Sequence, residues 1–366
     1  MRLGAVDLFC GAGGLSHGLI LEGVPVLAGI DVDPACRYPF EKNNGARFLE
    51  QNVSDVTPDQ LSSLFARTEV RILAGCAPCQ PFSTYAQRFD TTGSPRWALL
   101  REFARLVNEL QPEVVTMENV PSVAKHEVYT DFVSSLDRLG YVVWHDVVDC
   151  SDYGLPQRRR RRVLLASRLG SLDLVEPTHD CRPLTVRHEI GRLQPLAAGE
   201  SSSSDRMHVA ATLSPLNLKR IRASKPGGTW RDWPSHLVAK CHRNQSGITY
   251  PSVYGRMEWD SPAPTLTTQF FGFGSGRFGH PEQDRALSLR EGALLQGFPD
   301  TYSFIPAGSP IHFKTLGRMV GNAVPVTLGR VIGRSIRQHL GVASPVAAKS
   351  FLSAKDTEAA GPRVST

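Results

Sequence analysis

Asp7-Leu8-Phe9-Cys10-Gly11-Ala12-Gly13-Gly14 is the stretch on which the fold turns. The apolar run 3–9 reads as a buried strand, and the glycines at 11, 13 and 14 lead straight into a helical pattern over 15–22. A strand, a glycine turn and a helix open a doubly wound α/β unit in which backbone approaches a ligand closely. The turn is not the dinucleotide fingerprint, because Ser16 stands where a third glycine is needed. Asp31 follows a second strand over 24–30, about where an acidic residue takes ribose hydroxyls, and Phe9 is placed to stack on an adenine. A tight strand–helix turn without a ligand is the plain alternative.

The alternation continues outward. Asp33-Pro34 opens a helix, 72–74 and 114–117 are short apolar strands, and a helix is expected between them over 97–110. Residues 132–139 read as helix, and 141–148 and 162–166 as strands. This rhythm predicts a mostly parallel, doubly wound Rossmann-like sheet over 1–175, with ligands at the carboxyl ends of its strands. Beyond it the rhythm fails. Residues 199–205 read as a flexible loop, and 225–281, rich in Gly, Pro, Trp and Arg, as a smaller irregular domain. Helical patterning returns at 289–296 and 326–340, and the tail 342–366 is expected to be disordered.

The net charge of +6 suits a nucleic-acid partner, since Lys and Arg that neutralise phosphates release counterions, though basic proteins without such partners are common. Seven cysteines, odd in number and scattered, argue against a disulfide framework and for reduced thiols. No run of about 18 apolar residues appears. A cytoplasmic protein is expected.

Besides the glycine turn, three features carry candidate chemistry. Pro78-Cys79-Gln80 follows a strand and presents a thiol whose thiolate would be a nucleophile; a core thiol, or a redox or metal pair with Cys76, competes with that reading. No second such pair or histidine cluster completes a zinc site. Glu118-Asn119-Val120 puts a carboxyl at a buried strand end, where it can hold or share a proton, or merely cap or pair. In the extended run 157–162, Arg159 and Arg161 share one face and Arg158 and Arg160 the other; a solvated basic patch is the alternative.

In their order, these stretches closely resemble the bacterial DNA (cytosine-5) methyltransferases, the family that includes restriction-modification methylases. Residues 7–14 resemble its cofactor motif, 78–80 its catalytic motif, and 118–120 and 157–161 its next two. Residues 285–299 and 321–326 resemble its last two motifs. The similarity covers 3–175 and 255–340, and the stretch 176–281 corresponds to the target-recognition region, with 282–341 returning to the catalytic domain.

The resemblance implies methyl transfer from S-adenosyl-L-methionine to carbon 5 of a flipped cytosine in a short duplex sequence. It implies Cys79 as nucleophile at carbon 6, Glu118 on N3 and the amine, and Arg161 on O2 with Arg159 as second choice. Implied cofactor contacts are Phe9, Gly11, Gly13, Gly14, Asp31, Pro78, Leu100, Asn322 and Val324, with Asn52 or Asp55 at the adenine. Asn322 would also tie the C-terminal helix to the first motif. Residues 80–96 would close over DNA, bringing Gln80, Ser83 and Arg96 to it; the chain has Ser94-Pro95-Arg96 where the family commonly has Asp-Pro-Arg. Arg231, Lys240, Arg243, Arg256, Thr267 and Thr268 would meet DNA from the small domain. A monomer is expected, acting alone or beside a separate restriction endonuclease.

Three other readings stand against this one. The family's tRNA-directed branch is disfavoured by the absence of its Cys-Phe-Thr tripeptide, and a catalytically silent DNA-binding relative by intact Cys79, Glu118 and Arg161. A nicotinamide-dependent oxidoreductase is disfavoured by the missing third glycine.

Overall fold

The computed structural model describes residues 1–78, 98–244 and 249–342. Cys79, Gln80, Ser83, Arg96 and nearly all of the 342–366 tail therefore lie outside the described residues. Seven strands form one sheet in the order β3-β2-β1-β4-β5-β7-β6. They are β1 (Leu3–Leu8), β2 (Val26–Asp31), β3 (Arg47–Glu50), β4 (Val70–Gly75), β5 (Val114–Asn119), β6 (Val142–Asp149) and β7 (Arg160–Ser167). The first five run parallel, and all but the short β3 are largely buried where helices cover the sheet. β7 runs antiparallel to both β5 and β6.

That one reversal matters for the site. The carboxyl ends of β1, β2, β4 and β5 bring residues 9–14, Asp31, 76–78 and Glu118 to one edge of the sheet. Because β7 is reversed, its amino end reaches the same edge, with Glu118 opposite Val163 and Asn119 opposite Arg162. The arginine run can therefore precede its strand and still face residues that follow theirs.

Helices α1 (Gly14–Leu21), α2 (Arg37–Asn44), α3 (Pro58–Leu64), α4 (Ala98–Leu110) and α5 (Glu127–Arg138) cover the sheet. The irregular part contributes α6 (Val186–Ile190), α7 (Pro215–Ala223) and single 3-10 turns, with isolated bridges rather than a sheet. Its own small core gathers Ile221, Trp230, Trp233, Leu237 and Phe273. Met257, Leu266, Phe270 and Phe278 instead join the main core. The chain then returns through α8 (Leu289–Leu295), α9 (Phe313–Asn322) and α10 (Val326–His339).

Glycines let α10 pack on α1 at backbone distance. A Cβ on Gly18 would stand 2.5 Å from the backbone of Val326, Gly329 and Arg330, and one on Gly14 would stand 2.2 Å from the Val324 carbonyl oxygen. The seam is closed by fully buried Glu22, whose Oε1 accepts from Arg330 Nε at 2.8 Å and Arg334 Nη2 at 3.1 Å. These contacts, not Asn322, tie the last helix to the first motif; Asn322 is exposed at the end of α9. In an uncrowded helix Gly→Ala would stabilise by about 1 kcal/mol. Here Gly18→Ala is expected to destabilise by about 1–3 kcal/mol, read as a lower denaturant midpoint, because backbone cannot yield as a side chain does.

The loop over 199–205 is not loose. Ser202 is buried, its amide donates to the His208 carbonyl at 2.8 Å, and Asp205 accepts from Arg290 Nε at 2.6 Å. A serine-rich composition suggested flexibility, but the hydroxyls are spent on local turns.

Candidate active site

At the cofactor end, the backbone does most of the shaping. Phe9, Gly11 and Gly13 all take left-handed conformations, with φ of 60°, 51° and 88°. For Phe9 this costs about 1–2 kcal/mol and marks a turn held by its surroundings. Asp31 reaches into the turn: its Oδ2 accepts from the Gly11 amide and its Oδ1 from the Asp33 amide, both at 2.9 Å. A Cβ on Gly11 would meet nothing within 4 Å, so open space lies directly in front of this loop. Val32 beside it is 62 % exposed, an apolar surface at the mouth that the sequence reading passed over. Together these features fit an adenosyl cofactor: a backbone cradle, a ribose-height carboxylate and an apolar platform.

Asn52 and Asp55 sit on the neighbouring turn after β3. The Asn52 side chain accepts from the Ser54 amide, and the Gln51 amide donates to the Asp31 carbonyl at 3.0 Å, which brings Asn52 next to Asp31. Val324 is buried against Gly14. Leu100, expected as a cofactor contact, is packed in the core on the α4 side of the sheet, 1 % exposed, so its place is in the packing.

Asp7, inside the same motif, is buried and accepts a 2.7 Å bond from the Ser16 hydroxyl. Burial pushes its carboxyl up to about 7, with Asp31 adding to the rise. The folded chain therefore holds a proton that the unfolded chain releases near pH 4, so stability falls as pH rises from about 4 to 7, by about 1.4 kcal/mol per pH unit at most. Asp7→Asn keeps the acceptor for Ser16 and removes the titration. It is expected to raise the midpoint of thermal unfolding, and to raise it more at pH 8 than at pH 5.

At the catalytic end, Glu118 is 3 % exposed. Its Oε1 lies 2.7 Å from Arg161 Nε, but without hydrogen-bond alignment, so that oxygen has no hydrogen-bond partner among the described residues. Its Oε2 accepts from the Cys76 thiol at 2.8 Å. Cys76 thus touches the carboxylate. Buried Asn119 donates from Nδ2 to the Ala77 carbonyl at 3.0 Å, and the Cys76 amide donates to the Leu8 carbonyl. These bonds fix the backbone that leads into residue 79.

The alternation of the arginine run is as expected. Arg158 and Arg160 are exposed, whereas Arg159 and Arg161 turn inward. The two inward arginines then part ways. Arg161 meets Glu118, while the Arg159 guanidinium donates to the carbonyls of Leu266, Gly321 and Ala323. Arg159 is therefore engaged with backbone, which corrects its candidacy for a substrate contact.

Of the residues expected to meet DNA, Arg256 is withdrawn. It is 5 % exposed, and its guanidinium is consumed by the carbonyls of Ile221, Ser224, His280 and Gln283 and by Asp284. Arg231 and Lys240 are exposed. Arg243 is exposed too, braced by a 3.0 Å bond to the Ser235 carbonyl, beside a cavity of about 370 Å³. Thr267 is exposed and Thr268 half-buried; their backbone lies against Gly321, where a Cβ would stand 2.5 Å from the Thr267 carbonyl. The motif over 285–291 proves architectural: Arg285 forks onto Glu291 with two 2.7 Å bonds in a site that is essentially fully buried.

The family model for the C-5 cytosine-specific DNA methylases matches residues 3–338. The chain belongs to this family. The type II methylase M.HgiDII of Herpetosiphon aurantiacus is 54% identical over 339 residues, covering 92% of this chain and 95% of that protein. The type II methyltransferase M1.HphI of Haemophilus parahaemolyticus is 32% identical, covering 92% and 87%. Among solved structures, a putative DNA modification methyltransferase encoded in an Escherichia coli prophage matches with a TM-score of 0.70 at 22% identity, covering 93% of this chain and 99% of that one. The S. pombe Dnmt2 methyltransferase matches with a TM-score of 0.60 at 18% identity, covering 93% and 99%, which shows the shared fold.

This methylase is accordingly a DNA (cytosine-5) methyltransferase with S-adenosylmethionine as methyl donor, similar to bacterial type II methylases. DNA is its substrate. Among the described residues no helix is long and apolar enough to cross a membrane.

Proposed function

We propose that Cys79 is the nucleophile that adds to carbon 6 of a flipped cytosine, with Glu118 and Arg161 gripping the base. The observation that carries this reading is the buried Glu118 carboxyl, set 2.7 Å from Arg161 Nε yet keeping one oxygen without a hydrogen-bond partner among the described residues. A carboxyl oxygen there can accept from the exocyclic amine of cytosine, and a proton carried by the carboxyl can be donated to N3, where negative charge builds as carbon 6 is attacked. Arg161 is placed for O2. When bound, the cofactor supplies an electrophilic methyl group for carbon 5. Phe9, Gly11, Gly13, Gly14, Asp31, Pro78 and Val324 are assigned to hold it, with Val32 added. Asn52 is preferred to Asp55 for the adenine, and Asn322 is kept at the cleft rim. Loss of the carbon 5 proton and then of Cys79 restores aromaticity.

Residues 1–175 and 282–341 form the catalytic body and 176–281 the recognition region in this reading. Gln80, Ser83, Arg96, Arg231, Lys240, Arg243, Thr267 and Thr268 are its DNA contacts. The enzyme acts as a cytoplasmic monomer on one short sequence, with any cognate restriction endonuclease a separate protein. Its kinship with type II methylases supports that setting. Expression in a host without cytosine methylation, followed by base-resolved mapping of 5-methylcytosine, tests it. One methylated motif is the expected result; scattered or undetectable methylation overturns it.

A further inference from the structure

We propose that Gln157, Arg159 and Gln296 form a buried positioning network that locks the 263–268 segment in register with the catalytic strand. Through it, correct seating of DNA on the recognition side sets the placement of Arg161 against Glu118. The proposal rests on the roles given above to Arg161 and Glu118.

The segment runs beside the start of the arginine motif as a short parallel ladder. Ala263 donates to the Pro156 carbonyl at 2.9 Å, Arg158 donates to the Ala263 carbonyl at 2.8 Å, and the Thr265 hydroxyl donates to the Arg158 carbonyl at 2.7 Å. Gln157, fully buried, then does three things at once. Its Oε1 accepts from the Leu266 amide at 2.9 Å, and its Nε2 donates to the Leu295 carbonyl at 3.0 Å and to Gln296 Oε1 at 2.9 Å. Gln296, also fully buried, passes the chain on by donating to the Ala323 carbonyl at 2.6 Å.

Arg159 closes the circuit. Its Nη1 donates to the Leu266 carbonyl at 3.2 Å, and its Nη2 to the Gly321 and Ala323 carbonyls at 3.3 and 3.2 Å. Three stretches far apart in sequence, at 157–159, 263–268 and 321–323, thus meet on one guanidinium. Two residues further along the same face, Arg161 meets Glu118.

An apolar contact would join these stretches at lower cost than a buried cation. The cost here is visible: burial and the nearby Arg161 charge pull the Arg159 pKa down to about 10. What a planar fork and two amides add is direction, since each bonded donor and acceptor points at a particular partner atom. Apolar packing tolerates a slip of the segment, and this network does not. The slip it forbids would move exposed Thr267 relative to Arg161. Glycine contact fixes the same segment from the other side, because a Cβ on Gly317 would stand 2.6 Å from the Thr268 carbonyl.

The test compares wild type with Arg159→Met and Arg159→Lys on duplexes carrying the mapped target or a single-base variant of it. Methylation by wild type establishes the underlying reading first, so its failure is seen separately. For Arg159→Met, cofactor affinity should stay within twofold. The kcat on the target should fall at least tenfold while KM for DNA moves less than threefold, and the kcat/KM preference for target over variant should shrink at least fivefold. Arg159→Lys should recover part of both. A merely structural residue would lower the amount of folded enzyme and leave the preference intact. Unchanged kcat, or lost kcat with undiminished preference, overturns the proposal. Should Arg159→Met fail to fold, Thr265→Val decides: this exposed position loses only its bond to the ladder, and a preference within experimental error of wild type overturns the proposal equally.

Discussion

A Cys79→Ala variant is expected to lose methyl transfer by at least about 10³-fold while binding the cofactor as wild type does. Carbon 5 of cytosine is a poor nucleophile until something adds to carbon 6, and a thiolate is the side chain suited to add and leave again. The approach to residue 79 is rigid: Cys76 is bonded to the end of β1 through its amide, and Ala77 to Asn119 at the end of β5. Wild-type enzyme should also form a denaturant-stable complex with duplex target carrying 5-fluorocytosine, because fluorine at carbon 5 cannot leave as a proton does. Cys79→Ala should form none. Activity within tenfold of wild type, or an undiminished covalent complex, would remove Cys79 from the mechanism.

How much of this was legible in the sequence depended on whether a residue's partners were local. The glycine turn at 11–14, Asp31 and Glu118 could be placed because each follows an apolar run that folds as a parallel strand. The alternation of Arg158 to Arg161 followed from strand geometry alone. The division of labour between Arg159 and Arg161 was not legible, since the partners of Arg159 lie more than 100 residues away. Arg256 was misplaced because a loop composition suggested a surface arginine, whereas folding wraps carbonyls from outside its own segment around it. β3 and α9 were overlooked because Arg47–Glu50 is short and half charged, and Phe313–Asn322 carries two glycines that lower its apparent helix propensity. Those glycines are there for contact, with Gly317 and Gly321 admitting the backbone of 267 and 268. The bond from Cys76 to Glu118 was not legible either, because it crosses between strands.

Glu118→Gln is expected to lower kcat by about 10²–10⁴-fold with a much smaller change in KM for DNA. The substitution preserves shape, so the grip on an unreacted cytosine survives: an amide can donate to N3 and accept from the exocyclic amine. It removes the ability to meet the negative charge that moves onto the ring as the thiolate adds, because an amide has no acidic proton to share with N3. It also replaces the carboxyl oxygen that lies 2.7 Å from Arg161 Nε, and so loosens the contact assigned to O2. Oε2 accepts from the Cys76 thiol and keeps a second lone pair, while Oε1, paired with Arg161, accepts no hydrogen bond among the described residues, so both oxygens can turn to the base. The loss should therefore appear in single-turnover rate at saturating DNA and cofactor. A rate within threefold of wild type, or a loss confined to KM, would mean that Glu118 shapes the pocket without taking part in the chemistry.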